Sequence, residues 1–178
     1  EALGGQLKAA LRHQDFNGDV GQTQMIYEPR DCSTKRILLL GLGEQKKFAP
    51  RQFKQACYAA FAQLERSGSK DCVVLLPLLG EDDATYRLVR KATSAAEAAT
   101  YVFDQCKSEK KSSKRPLVKV TFLLPSRSQQ NAAKRAAEHG KAIGLGTRLA
   151  KDLANLPGNI CTPSYLAKRA QAMARGKS

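Results

Sequence analysis

The chain has 178 residues, of which 42% are apolar and 26% charged, a composition typical of one globular domain with a short extension. Its net charge of +14 at pH 7 attracts polyanions but does not specify a fold. No apolar run approaches the roughly 20 residues of a membrane span, and no signal peptide is visible, so we predict neither a membrane protein nor a secreted one.

The first half of the chain predicts a helix, two strands and a second helix. Residues 2–12 carry a leucine every four positions, which favours a short helix. The stretch TQMIYE at 23–28 is typical of a strand, and RILLLGLG at 36–43 predicts a strand that is covered on both faces. Residues 49–68 have the clearest amphipathic helix pattern of the chain.

The second half continues to alternate strands and helices. DCVVLLPLL at 71–79 predicts a second fully apolar strand, and residues 82–106 predict a long helix. Another strand, PLVKVTFLLP at 116–125, precedes a long helix at 128–156. Apolar strands that alternate with amphipathic helices predict a three-layer α/β domain.

The helix predicted at 128–156 contains Gly140, Gly144 and Gly146. Each glycine inside a helix costs roughly 1 kcal/mol relative to alanine. Three of them within seven residues therefore indicate either the close approach of another backbone or a break in the helix.

Residues 155–163 separate two helical patterns. This segment, NLPGNICTP, contains two prolines, a glycine and two asparagines, which stop a helix. Thr162 is predicted to cap the next helix, with Pro163 at its first position. We interpret the segment as a junction between two structural units.

The five cysteines do not predict a disulfide framework, because their number is odd, their spacing is irregular and no CxxC pair occurs. Cys57 and Cys72 lie in apolar runs and are predicted to be buried thiols. This use of cysteine suits a reducing, cytosolic compartment.

The glycines at 41–43 follow a predicted strand, as do those of dinucleotide-binding folds. The third glycine of that fingerprint is replaced by Lys46, and no acidic residue ends a second strand about 20 positions later. A tight turn after a buried strand explains these glycines better than a nucleotide site.

The sequence contains no recognisable catalytic pattern. His13 and His139, the two histidines, have no HExxH spacing, and although a Ser-His-Asp arrangement stays open, no G-x-S-x-G elbow is present. Asp82 and Asp83 are adjacent and would point apart on a helix, which favours capping over acid–base catalysis. Without an evident cluster of carboxylates or histidines, we predict no catalytic residue and no metal ligand.

Basic residues concentrate in the polar segment KSEKKSSKRP at 107–116 and just after it. The simpler interpretation of this segment is a solvated loop. The more specific interpretation is a loop that contacts phosphates. The candidate nucleic-acid-binding residues are Lys107, Lys110, Lys111, Lys114, Arg115 and Lys119. No aromatic residues interleave with them, so DNA contact would be mainly to the backbone.

Four stretches of the chain resemble the bacterial cytosolic leucyl aminopeptidases. They are, in the family's order, GDVGQTQMIYEP, KRILLLGLGEQKKFAPRQFKQA, ATYVFDQCKSEKKSSKRPLVKVTF and AKDLANLPGNICTPSYLAKRA. The last is highly specific, since N-L-P-x-N-x-C-T-P-x-Y-L-A is a signature at the end of the family's amino-terminal domain. The resemblance covers essentially the whole chain.

The resemblance implies a macro-domain-like fold, with a mixed β-sheet between helices, followed by a long connecting helix. Residues 1–129 would form the amino-terminal domain, 130–156 the connecting helix and 157–178 the start of a catalytic domain. The family's first strands, and the lysine, aspartates and glutamates that hold its two metal ions, have no counterpart in this sequence.

The parent enzyme is expected, by resemblance, to be a cytoplasmic homohexamer that removes leucine-like residues from peptide N-termini with two divalent ions, Mn or Zn. This chain alone would have no cofactor and no peptidase activity, and would support the hexamer through the catalytic domain of the same parent. The alternative is a DNA-binding module, since some bacterial members are DNA-binding accessory proteins. A nucleotide-binding macro-domain is a third, weaker interpretation.

Overall fold

The computed structural model shows a chain in which helices and strands alternate. It describes residues 5–12, 16–30, 32–76, 82–107 and 117–175. The helices are α1 (Gln6–Arg12), α2 (Pro50–Arg66), α3 (Asp82–Ala99), α4 (Gln130–Asn155) and α5 (Pro163–Arg175). The strands are β1 (Thr23–Tyr27), β2 (Arg36–Leu40), β3 (Asp71–Leu75) and β4 (Lys119–Leu123). This order confirms the predicted α/β class. No helix in the described ranges combines the length and hydropathy needed to cross a bilayer.

The four strands form two small sheets with different pairing. β1 pairs antiparallel with β2, with Thr23 opposite Leu40, and β3 pairs parallel with β4, with Asp71 opposite Lys119. Parallel neighbours need a crossover connection, and α3 lies in the connection between β3 and β4. The predicted mixture of parallel and antiparallel pairing is therefore present, but among the described strands it is divided between two sheets.

The strand predicted from the apolar run at 71–79 is covered on one face only over β3. Cys72 and Val74 pack against the core, whereas Val73 and Leu75 are 66% and 73% exposed. Successive side chains of a strand point to opposite faces of the sheet, and the hydrophobic core lies on one face only. The apolar run does not by itself reveal that difference.

One hydrophobic core joins α2, α3 and α4 to the inner face of β3 and β4. Phe53, Cys57 and Phe61 of α2 are each at most 3% exposed, and Val89 of α3 is completely buried. Fully burying a large apolar side chain contributes about 1.5–3 kcal/mol. The core therefore fixes the three helices relative to each other.

Glycines allow α4 to approach α3 closely. A Cβ on Gly140 would lie 2.6 Å from the carbonyl oxygen of Arg90, and one on Gly144 would lie 2.4 Å from Cβ of Glu97. A Cβ on Gly146 would meet nothing within 4 Å. The predicted close approach of another backbone is confirmed at Gly140, whereas Gly144 faces the Glu97 side chain. The helix α4 continues through all three glycines without a break.

The third helix is shorter than predicted. It ends at Ala99, although the sequence pattern extends over 82–106. Beyond its end, the Tyr101 hydroxyl donates to Asp152 Oδ1 (2.9 Å) and accepts from Asn155 Nδ2 (3.1 Å). These bonds hold the chain against the end of α4, so tertiary contacts override the local helical pattern.

The prediction of buried thiols is confirmed for Cys57, whereas Cys72 is only partly covered. Burial raises the pKa of Cys57 to about 12. Burial, and then the negative charge of Asp71, raise the pKa of Cys72 to about 11. Since the thiolate is the reactive form, both thiols are unreactive at neutral pH.

Candidate functional site

The structure describes two of the six basic residues predicted to contact nucleic acid. The four outside the described residues are Lys110, Lys111, Lys114 and Arg115. Lys107 follows α3 and is exposed, and Lys119 is exposed at the first position of β4. Lys119 stands opposite Asp71 in the parallel ladder, and both residues are exposed.

Hydrogen bonds fix the start of β4. The Leu117 N–H donates to Glu65 Oε2 (2.8 Å), and the Val118 N–H donates to the Lys70 carbonyl (2.7 Å). These partners belong to α2 and to the residue before β3. The backbone that leads into Lys119 is therefore fixed by hydrogen bonds to the rest of the fold.

The glycine turn after β2 packs against the preceding loop. The Gly41 N–H donates to the Gln22 carbonyl (2.8 Å), and the Gly43 N–H donates to the Gly18 carbonyl (2.8 Å). A Cβ on Gly41 would lie 2.1 Å from the Asp19 carbonyl oxygen, and Gly43 has a φ of +77°, which favours glycine. The N–H groups of both glycines are thus already bonded, which favours the turn interpretation over a nucleotide site.

His139 contacts Tyr86 of the neighbouring helix. Its Nδ1 lies 2.6 Å from the hydroxyl oxygen of Tyr86, and the two rings meet edge to face. His13 lies outside the described residues. In the part of the chain that the structure describes, no three His, Cys, Asp or Glu side chains come together as a metal site would require. The contact between His139 and Tyr86 therefore joins α4 to α3.

A small cleft lies where α2, α3 and α4 meet. Three cationic side chains line it, Lys54 from α2 and Arg148 and Lys151 from α4, together with the carboxylate of Glu97 from α3. Its volume is about 30 Å³. These residues share no local signal in the sequence because they are far apart along the chain. Only Gly144, which also lines the cleft, gives a sequence signal that helices meet there.

The junction predicted at residues 155–163 is a compact turn between α4 and α5. The N–H groups of Ile160 and Cys161 both donate to the Pro157 carbonyl (2.9 Å each). Thr162 Oγ1 then accepts from the Tyr165 N–H (3.3 Å), which is an N-cap bond. The predicted start of the last helix is therefore confirmed.

The last helix presents an apolar stripe to solvent. Leu166, Ala170 and Met173 recur at the spacing of one helix face, and Leu166 and Met173 are 43% and 49% exposed. None of the described residues of α5 is buried. Because most helical stability in proteins comes from packing of such a face, α5 has the character of a helix that packs against a further element.

Comparison with known proteins matches the amino-terminal part of the chain to a protein family. The family model described as "Cytosol aminopeptidase family, N-terminal domain" matches residues 1–110. The match therefore covers well over half of the chain.

Solved structures share the fold over nearly the whole chain. Bottromycin maturation enzyme BotP in complex with Mn is 24% identical with a TM-score of 0.73, and covers 94% of this chain. A mutant of tomato leucine aminopeptidase is 24% identical with a TM-score of 0.77, and covers 98% of this chain. This chain spans 33% of the length of each of them, about a third. At these identities the likeness shows the fold alone.

Proposed function

The chain belongs to the cytosol aminopeptidase family, and on this basis we propose that it is the non-catalytic amino-terminal domain of a leucyl aminopeptidase. The observation that carries the proposal is the match of the family's amino-terminal domain to residues 1–110. The fold likeness to tomato leucine aminopeptidase, of which this chain spans 33%, supports the same role. Peptide hydrolysis would then belong to another part of the parent chain.

The parent would remove the first residue of a peptide, with leucine-like residues preferred. Two divalent ions, Mn or Zn, would activate a water molecule and stabilise the charge of the tetrahedral intermediate. BotP, which has the same fold over this region, is known in complex with Mn. The ligands of both ions would come from the catalytic domain, and none from this chain.

We assign residues 1–129 to the amino-terminal domain, 130–156 to a connecting helix and 157–178 to the start of the catalytic domain. The unbroken course of α4 supports the second assignment. The exposed stripe of Leu166 and Met173 supports the third, because contact with a catalytic domain would bury it. In the cytoplasmic parent, a homohexamer, this domain would support the assembly and shape access to the active sites.

Hydrolysis of leucine p-nitroanilide in the presence of Mn²⁺ or Zn²⁺ tests the assignment. We expect the 178-residue chain to release no nitroaniline above a mock purification, and the parent polypeptide to release it in a metal-dependent way. A third protein, the parent shortened to begin at residue 157, isolates the contribution of this domain. We expect light scattering to give hexamers for the parent and smaller species for the shortened protein.

Two results would contradict this proposal. Metal-dependent hydrolysis by the 178-residue chain, in proportion to its concentration, would place catalytic groups within it. Hexamers of unchanged stability and activity from the shortened protein would remove the supporting role of the domain.

A second candidate function is contact with DNA phosphates. The net charge of +14 favours it, together with the exposed ammonium groups of Lys107 and Lys119. If all six candidate residues contact phosphates, binding to a mixed-sequence duplex should weaken steeply as salt rises, and glutamine at all six should flatten the dependence of log K on log salt by about 5. A matched variant carries glutamine at Arg51, Lys70, Lys134, Arg135, Lys141 and Lys168. Equal flattening in both variants would contradict a localised DNA site.

A further inference from the structure

The cleft between α2, α3 and α4 contains a polar group that the protein leaves without a partner. Nε of Arg148 is buried, and among the described residues no acceptor lies within hydrogen-bonding distance of it. The Glu97 carboxylate lies beside the same guanidinium, with Oε2 3.7 Å from Nη2. A buried donor without an acceptor costs about 1–3 kcal/mol. The Arg148 side chain as a whole is 40% exposed, so its guanidinium can turn to offer this N–H to an acceptor that enters the cleft.

Two further cations are directed to the same cleft from different helices. Nζ of Lys151 lies 5.0 Å from the centre of the Tyr101 ring, at cation–π distance. That ring is held by the hydrogen bonds of its hydroxyl to Asp152 and Asn155. Lys54 is exposed and lines the cleft from α2. Lys151 is therefore positioned by its contact with the Tyr101 ring, while Lys54 lies at the exposed side of the cleft.

The charges and the size of the cleft indicate the kind of ligand. Three cationic side chains and one carboxylate line it, which leaves an excess of two positive charges. A phosphate monoester carries about −1.5 to −2 at pH 7, whereas a carboxylate carries a single charge. The volume of about 30 Å³ admits roughly two water-sized oxygen atoms, with the remainder of a phosphate towards solvent.

We propose that this cleft binds a phosphate group. The guanidinium of Arg148 turns towards the cleft so that Nε–H donates to one phosphate oxygen, and the ammonium groups of Lys151 and Lys54 neutralise the others. Arginine and lysine are the usual phosphate-binding side chains, and a guanidinium edge suits two oxygens of one phosphate. The group could be a free ion or part of a nucleic-acid backbone, and both sources offer the same chemistry to these residues.

Titration of the full chain with inorganic phosphate, followed by ¹⁵N NMR, reads the proposed contact directly. We expect a saturable shift of the Arg148 Nε–H signal with phosphate, and none with chloride at the same ionic strength. Lys54→Gln and Lys151→Gln should each weaken phosphate binding about tenfold, since each removes a charge-assisted contact. Glu97→Gln should tighten binding, because it removes the one negative charge that faces the ligand.

Lys134→Gln is the matched control, since Lys134 is an exposed lysine on α4 that does not line the cleft. Its phosphate affinity should equal that of the unmodified chain. Far-UV circular dichroism verifies folding, and the exposed site of Lys54 provides a variant that keeps the core intact. A duplex added as competitor identifies the source: displacement of inorganic phosphate assigns the site to a nucleic-acid backbone, and lack of displacement assigns it to a small phosphate.

The proposal is overturned if phosphate and chloride give the same shift, or if the shift does not saturate. It is also overturned if Lys54→Gln, Lys151→Gln and Lys134→Gln all bind phosphate equally. Weaker binding by Glu97→Gln would contradict a site whose phosphate affinity comes from its excess of positive charge.

Discussion

Phe61→Ala is expected to lower the free energy of unfolding of this chain by about 3–5 kcal/mol. Phe61 is 2% exposed and belongs to the same core cluster as Phe53 and Val89. Truncation removes the burial of an aromatic ring and leaves a cavity where α2 meets the rest of the core. Urea unfolding followed by far-UV circular dichroism measures the loss as a shift of the midpoint.

Tyr58→Ala is the matched control for this substitution. Tyr58 lies one turn earlier on α2 and is 48% exposed, so much of its ring is in water in the folded state. We expect it to cost less than about 1 kcal/mol, since substitutions away from the core have small effects. Equal losses for the two variants would mean that Phe61 is not in the packed core.

Gly140→Ala is expected to lower the free energy of unfolding by about 1–3 kcal/mol, although alanine is the better helix former. The added methyl group would lie 2.6 Å from the carbonyl oxygen of Arg90 and 2.7 Å from Cβ of Thr93. Neither atom is the end of a flexible side chain, so α3 and α4 must move apart. The same urea titration measures the loss.

Gly146→Ala tests the opposite sign on the same helix. Nothing lies within 4 Å of its Cβ position, so only the intrinsic preference for alanine remains. That preference should raise the free energy of unfolding by roughly 0.5–1 kcal/mol. If both glycine substitutions stabilise the chain, α3 and α4 do not approach each other as closely as described.

The type and order of the elements were predictable from local patterns. The helix predicted at 49–68 is found as Pro50–Arg66, and the strand predicted at 23–28 is found as Thr23–Tyr27. Both patterns depend on the period of apolar residues, which is a property of neighbouring positions. The signature around residues 151–170 likewise indicated the family without any knowledge of the fold.

The end of α3 was not predictable in this way. The helical pattern continues beyond Ala99, and the bonds from Tyr101 to Asp152 and Asn155 connect positions about fifty residues apart. Such contacts have no local signal in the sequence. For the same reason the exposed face of β3, with Val73 and Leu75, could not be told from a buried one.

The two candidate sites also differ in whether the sequence reveals them. Basic residues that are consecutive in sequence, such as those around Lys107, are visible in the sequence as a charged segment. Lys54, Glu97 and Arg148 become neighbours only because glycines let α4 approach α3 while the core holds α2 beside them.

The sequence by itself determined the α/β class, the order of the elements, the turn after α4 and the family, because each of these depends on short-range patterns. The tertiary structure decided where α3 ends, which face of β3 is covered and which charged groups share the cleft. Those features depend on contacts between residues distant in sequence, whose energies are set by packing rather than by local preference.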